Sequence, residues 1–100
     1  MTTQNKMVWE PLNGALYGTF NDGRKLRISL FQVGQGAYRS FGHRLCVLEG
    51  SDWKQLAKAW FRRGDIDHIP EGEVLHKGSS AARSVLVEIA NHLNPEEDSP

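Results

Sequence analysis

The sequence predicts an α+β domain: a four-stranded antiparallel sheet (a meander) followed by two amphipathic helices. Three observations predict it. Turn residues cut the first half of the chain into short runs, Lys25 to Leu30 alternates strictly between polar and apolar side chains, and two later stretches repeat apolar residues at helical spacing.

The first strand is expected at Met7-Val8-Trp9, ahead of Pro11, and the second from Ala15 to Phe20 after the Asn13-Gly14 turn. Asn21-Asp22-Gly23 separates it from a third, Lys25 to Val33, because Asp-Gly between alternating runs is a strong hairpin signal. Side chains alternate along a strand, so Leu26, Ile28 and Leu30 share one face while Lys25, Arg27 and Ser29 share the other. A two-residue Asp22-Gly23 loop pairs Phe20 with Lys25 and turns Phe20 outward; a three-residue loop with Gly23 left-handed turns Tyr17 outward instead. Either register sets one aromatic beside Lys25 and Arg27. After Gly34-Gln35-Gly36, a fourth strand is expected from Tyr38 to Leu48.

Glu49-Gly50 then ends the expected sheet, and Ser51 reads as the N-cap of a helix with Asp52 adding favourable charge at its start. Trp53, Leu56, Ala57 and Trp60 recur at i, i+3, i+4 and i+7, an apolar stripe that predicts a helix over Asp52 to Arg63, stopped by Gly64. Residues 65–77 are polar and punctuated by Pro70 and Gly72, with Glu73 to His76 available as a short strand. Ser79 or Ser80 is expected to cap a second helix from about Ser80 to Asn94, burying Ala82, Val85, Leu86, Ile89 and Leu93, and Pro95 ends it.

With 100 residues and 39% hydrophobic content, there is material for one core and one domain. Its expected parts are a sheet-and-helix core over 7–64, a helical extension over 65–94 and an acidic tail over 95–100. The lone Cys46 excludes an intramolecular disulfide and a thiolate zinc cluster, so a reducing cytoplasm is the expected location. Residues 1–6 lack an apolar signal core, and no apolar run approaches the roughly 18 residues of a membrane span.

Charge is sorted along the chain even though it sums to zero. Residues 24–63 carry nine basic and two acidic side chains, net +7, whereas residues 64–100 carry two basic and eight acidic ones, net −6. A polyanion is therefore attracted to the middle of the chain.

The segment Leu45-Cys46-Val47-Leu48-Glu49-Gly50-Ser51-Asp52-Trp53-Lys54-Gln55-Leu56 resembles the last strand, cap and Trp-x-x-Leu helix start of the positive-cofactor-four family of transcriptional coactivators. The hairpin from Tyr17 to Phe31 has comparable spacing, and the likeness spans about Met7 to Arg63. The region from Asp65 onward lies outside that family's core. The resemblance implies a homodimer that binds single-stranded DNA through basic and aromatic side chains of the sheet. Here these are Arg24, Lys25, Arg27, Tyr38 and Arg39, with Phe20 or Tyr17 according to register.

The same residue types point to single-stranded nucleic acid on physical grounds alone. Lys and Arg neutralise phosphates in any sequence, and an exposed ring gives an unstacked base a surface worth roughly 1 to 3 kcal/mol. His43, His68, His76 and His92 are scattered without metal-ligand spacing, and Cys46 lies three residues from His43 on what would be the opposite strand face. Asp65, Asp67 and His68 fall in a polar connection. These patterns predict neither an enzyme nor a cofactor. A second expectation is a small regulator that docks on a nucleic-acid enzyme, its acidic C-terminal third imitating phosphate. The expected partners are thus single-stranded nucleic acid, a second copy of the chain and a possible protein partner, with no membrane.

Overall fold

A computed structural model describes residues 7–66 and 68–96. Asp67 and residues 97–100 of the expected acidic tail lie outside the described residues. Strands β1 (Glu10–Leu12), β2 (Ala15–Thr19), β3 (Lys25–Val33), β4 (Ser40–Glu49), β5 (Asp52–Phe61) and β6 (Leu75–His76) form one sheet in sequential order, and the α-helix α1 (Ser79–Leu93) follows. The first five strands pair antiparallel, and β6 adds parallel to β5, so the sheet is mixed; it curls into a half-barrel. The expected four-stranded meander with two helices is therefore corrected to six strands and one α-helix among the described residues.

The turns explain the sequential order. Asn13 and Gly14 both take positive φ, the combination that closes a two-residue hairpin with the twist of its strands, and they join β1 to β2. Met7 to Trp9 lies outside the ladder, correcting the expected first strand. Its place is taken by β1, an edge strand in which Pro11 costs little because no partner needs its missing N–H. Trp9 and Met7 instead sit against Gly18, where an added Cβ would meet the indole at 3.0 Å.

Between β2 and β3, the amide of Phe20 donates to the carbonyl of Arg24 at 2.8 Å, and Gly23 is left-handed. The loop has three residues, Tyr17 pairs with Arg27, and Thr19 pairs with Lys25. Of the two registers open in the sequence, this one turns Tyr17 out with Arg27 and sends Phe20, 3% exposed, into the core.

The second correction concerns Asp52 to Arg63. Gly50, with φ of 63°, and Ser51 form a two-residue hairpin turn, so Glu49 pairs with Asp52 and the chain returns as β5 rather than entering a helix. The helical spacing was produced by a bulge. Leu45 pairs with Ala57 and Cys46 with Gln55, leaving Leu56 unopposed. The extra residue shifts parity, so Trp53 and Trp60, an odd number apart, come to the same sheet face. Ala57, Ala59 and Phe61 point to the other.

That other face is the core. Leu26, Ile28, Phe41, Leu45, Val47, Ala59 and Phe61 pack against Ala82, Leu86 and Ala90, spaced four apart along α1. The alanines keep the helix close to the sheet, and the fully buried leucine fills the space between them. Leu93, expected inside, is exposed.

Both ends of α1 are fastened to the sheet. Gly78, not a serine, is the N-cap residue, which frees Ser79 to bond His43 of β4, with Nε2 and Oγ 2.7 Å apart. At the other end, Asn94 Oδ1 accepts from the amide of Asn21 at 2.7 Å, and Asn21 Nδ2 donates to the carbonyl of Pro95 at 2.6 Å. No helix among the described residues is long and apolar enough to cross a membrane.

Candidate nucleic-acid interface

The sheet face away from α1 is built by alternation. β2 contributes Tyr17 and Thr19; β3 contributes Lys25, Arg27, Ser29 and Phe31; β4 contributes Gly42, Arg44 and Cys46; and β5 contributes Trp53, Gln55, Lys58 and Trp60. No carboxylate from β2 to β5 points this way. The arginines and the lysine are interleaved with rings: Arg27 lies 4.4 Å over Trp53, Arg44 lies 5.0 Å over Phe31, and Lys58 Nζ lies 5.3 Å over Trp60. Each distance is within cation–π range.

Two contacts on this face, one cation–π and one ring–ring, cross an intervening strand. Arg27 reaches over Cys46 of β4 to Trp53 of β5, which also meets Tyr17 edge-on, with centroids 6.4 Å apart. Phe31 meets Trp60 across Gly42. Cys46 and Trp60 are buried beneath this layer; Tyr17, Arg27, Phe31 and Trp53 are half-buried, while Lys25, Arg44, Gln55 and Lys58 are exposed. The outermost groups are thus cationic, with aromatic surface directly under them. Lys58 also approaches Glu73 at 4.0 Å, an exposed pair worth little in water.

The sequence-expected residues divide into four groups. Lys25, Arg27 and Tyr17 come together on this face. Arg24 sits in the turn with its guanidinium 2.8 Å from Asp22 and 4.8 Å over Phe20. The Arg24 amide and guanidinium together hold the Asp22 carboxyl below its ordinary value. Tyr38, 75% exposed in the 3-10 turn Gly36–Tyr38, and Arg39, which donates to the carbonyl of Gly36 at 2.8 Å, lie at the far end of the β3–β4 hairpin. Phe20, alternatively expected outward, is withdrawn to the core and offers no stacking surface. Arg44, Phe31, Trp53, Lys58 and Trp60 were missed. The Gly50-Ser51 turn between two strand-like runs was the signal that β5 was a strand, and with it that Trp53, Lys58 and Trp60 were sheet residues.

Elsewhere, His43 stacks on Phe61 with ring centroids 5.0 Å apart and is 6% exposed. Burial, and then the positive charge of Arg83, hold its imidazole below the ordinary value of 6.5; a backbone group of Ser29 acts in the opposite sense. Among the described residues, no three His, Cys, Asp or Glu side chains are grouped to hold a metal. Comparison with protein-family models, with curated proteins and with solved structures gave no match to this chain.

Proposed function

We propose that the chain binds single-stranded nucleic acid without catalysis, through the sheet face opposite α1. The observation that carries the reading is the interleaving of Arg27, Arg44 and Lys58 with Trp53, Phe31 and Trp60 on a face whose central strands present no carboxylate. The exposed cations attract phosphates, and the half-buried rings and the guanidinium planes above them offer unstacked bases a surface for stacking. Duplex bases are already stacked and gain less from it. The reading places the protein in a reducing compartment such as the cytoplasm, where buried Cys46 stays a thiol.

Four phosphates met by Lys25, Arg27, Arg44 and Lys58 correspond to a slope of log affinity against log salt of roughly −3, at about 0.7 per single-strand contact. Fluorescence anisotropy with a labelled oligothymidylate and a matched duplex, titrated at several salt concentrations, tests this. The expected result is a preference for the single strand with that slope. Absence of binding at low salt would remove the proposal.

A further inference from the structure

Resting on the single-strand reading, we propose that the β1–β2 edge of the same face is a base-reading subsite selective for guanine within the strand. A cavity of about 540 Å³ opens there, lined in part by Val8, Glu10, Tyr17, Thr19 and Lys25. Its size is in the usual range for small-molecule sites, about 300 to 1,000 Å³. The strand register explains why these groups meet. Glu10 pairs with Tyr17, Tyr17 with Arg27, and Thr19 with Lys25, so the pleat directs Glu10, Tyr17, Thr19 and Lys25 to one side of the sheet.

Glu10 is the one carboxylate that β1 to β5 turn to this face, and no hydrogen bond or ion pair among the described residues engages it. Next to a row of phosphate-attracting cations, a bare carboxylate repels the strand unless the strand brings donors to it. An ionised carboxylate only accepts hydrogen bonds, and two parallel donors suit its two oxygens. Guanine is the base whose Watson–Crick edge carries adjacent donors, N1–H and the N2 amine. Adenine and cytosine set a donor beside an acceptor, and thymine and uracil flank one donor with two acceptors.

The third group on guanine's edge is the O6 acceptor, next to N1. The Lys25 ammonium, which only donates, and the Thr19 hydroxyl lie on the same side of the sheet to meet it. Tyr17, in the floor between Glu10 and Arg27, supplies a ring for the base to stack on. A free guanine nucleotide carries the same edge, but only a strand also extends its phosphates along Arg27, Arg44 and Lys58.

The test uses the full chain and dodecamers of thymidine carrying one central guanine, adenine, cytosine or hypoxanthine, read by anisotropy at one salt concentration. The guanine strand is expected to bind about fivefold or more tightly than all-thymidine, the low end of discrimination by a bidentate base contact. Hypoxanthine, which keeps N1–H and O6 but lacks the N2 amine, is expected to lose most of that gain. Glu10→Gln should abolish the guanine preference while all-thymidine binding is kept or strengthened, because a charge that repels the strand is removed; that binding also shows that the variant folds. Equal affinity for all strands by the unaltered chain would overturn the guanine subsite and leave the single-strand reading standing; no binding to any strand would remove both. Guanosine monophosphate binding as tightly as the guanine strand would overturn the assignment to a strand.

Discussion

Phe31 and Trp60 meet edge to face, their ring centroids 5.0 Å apart, across a strand that has a glycine at the crossing point. A Cβ on Gly42 would lie 2.8 Å from the Phe31 ring and 3.0 Å from the carbonyl oxygen of Ala59. The two rings depend on the missing side chain between them.

Gly42→Ala is therefore expected to destabilise the protein by about 1 to 3 kcal/mol, the usual cost of forcing an extra group into a packed site. Urea unfolding measures the loss, and the tryptophan emission of the folded variant should change as Phe31 leaves Trp60. An unchanged midpoint would mean that the rings do not pack over Gly42.

The two tryptophans of β5 should differ in what they contribute to stability. Trp60 is 3% exposed, so Trp60→Ala is expected to cost about 3 to 5 kcal/mol. Trp53 is half-buried and held by Arg27 and Tyr17, so Trp53→Ala should cost clearly less. Paired denaturation curves check the order.

Arg44 is exposed, with its guanidinium over Phe31, and Arg44→Ala should change stability by only about 0.5 to 1 kcal/mol through the lost cation–π contact. Binding is expected to respond more. Removing one phosphate contact should reduce the magnitude of the single-strand salt slope by about 0.7. Lys58→Ala should behave alike, and an unaltered slope in both variants would exclude these side chains from the interface.

His43 links stability to pH. Its folded-state pKa lies below the 6.5 of the free imidazole, so below that value the unfolded chain binds the proton more readily than the folded one. Its contribution is whole above about pH 6.5 and is lost as pH falls from there toward the folded pKa. Melting midpoints between about pH 7.5 and pH 5.5 should fall more steeply for the unaltered protein than for His43→Gln, which retains a side-chain group able to bond Ser79. Equal slopes would exclude His43 as the titrating group.

Much of the fold was legible where one periodicity was present without interruption. The alternation from Lys25 to Leu30 marks β3, and the repeat through Ala82 and Leu86 marks α1 within a residue of its observed start. The left-handed turn at Gly23 was legible as one of two registers, and tertiary burial of Phe20 accompanies the one adopted. The Asp52 to Phe61 segment failed because a bulged strand and a helix both bring residues seven apart to one side. Lys54, Gln55, Leu56, Ala57 and Lys58 are also good helix formers locally, and pairing with β4 overrides them. Half the candidate face was lost with that strand. Lys25, Arg27 and Tyr17 were found because β2 and β3 are regular; Arg44 lay on a strand that was expected, but its ring partner Phe31 was not read as facing outward.

The unopposed Leu56 makes this surface more sensitive to chain length than to residue identity. Replacing Leu56 with another residue keeps the count between Trp53 and Trp60, and the two indoles stay on one side. Deleting it restores strict alternation, so one end of β5 must turn over: either Trp53 enters the layer beneath α1 or Trp60 does, with Ala59 and Phe61 expelled. A single-codon deletion here would thus rearrange half a strand, while many point changes at the same codon would leave it in place.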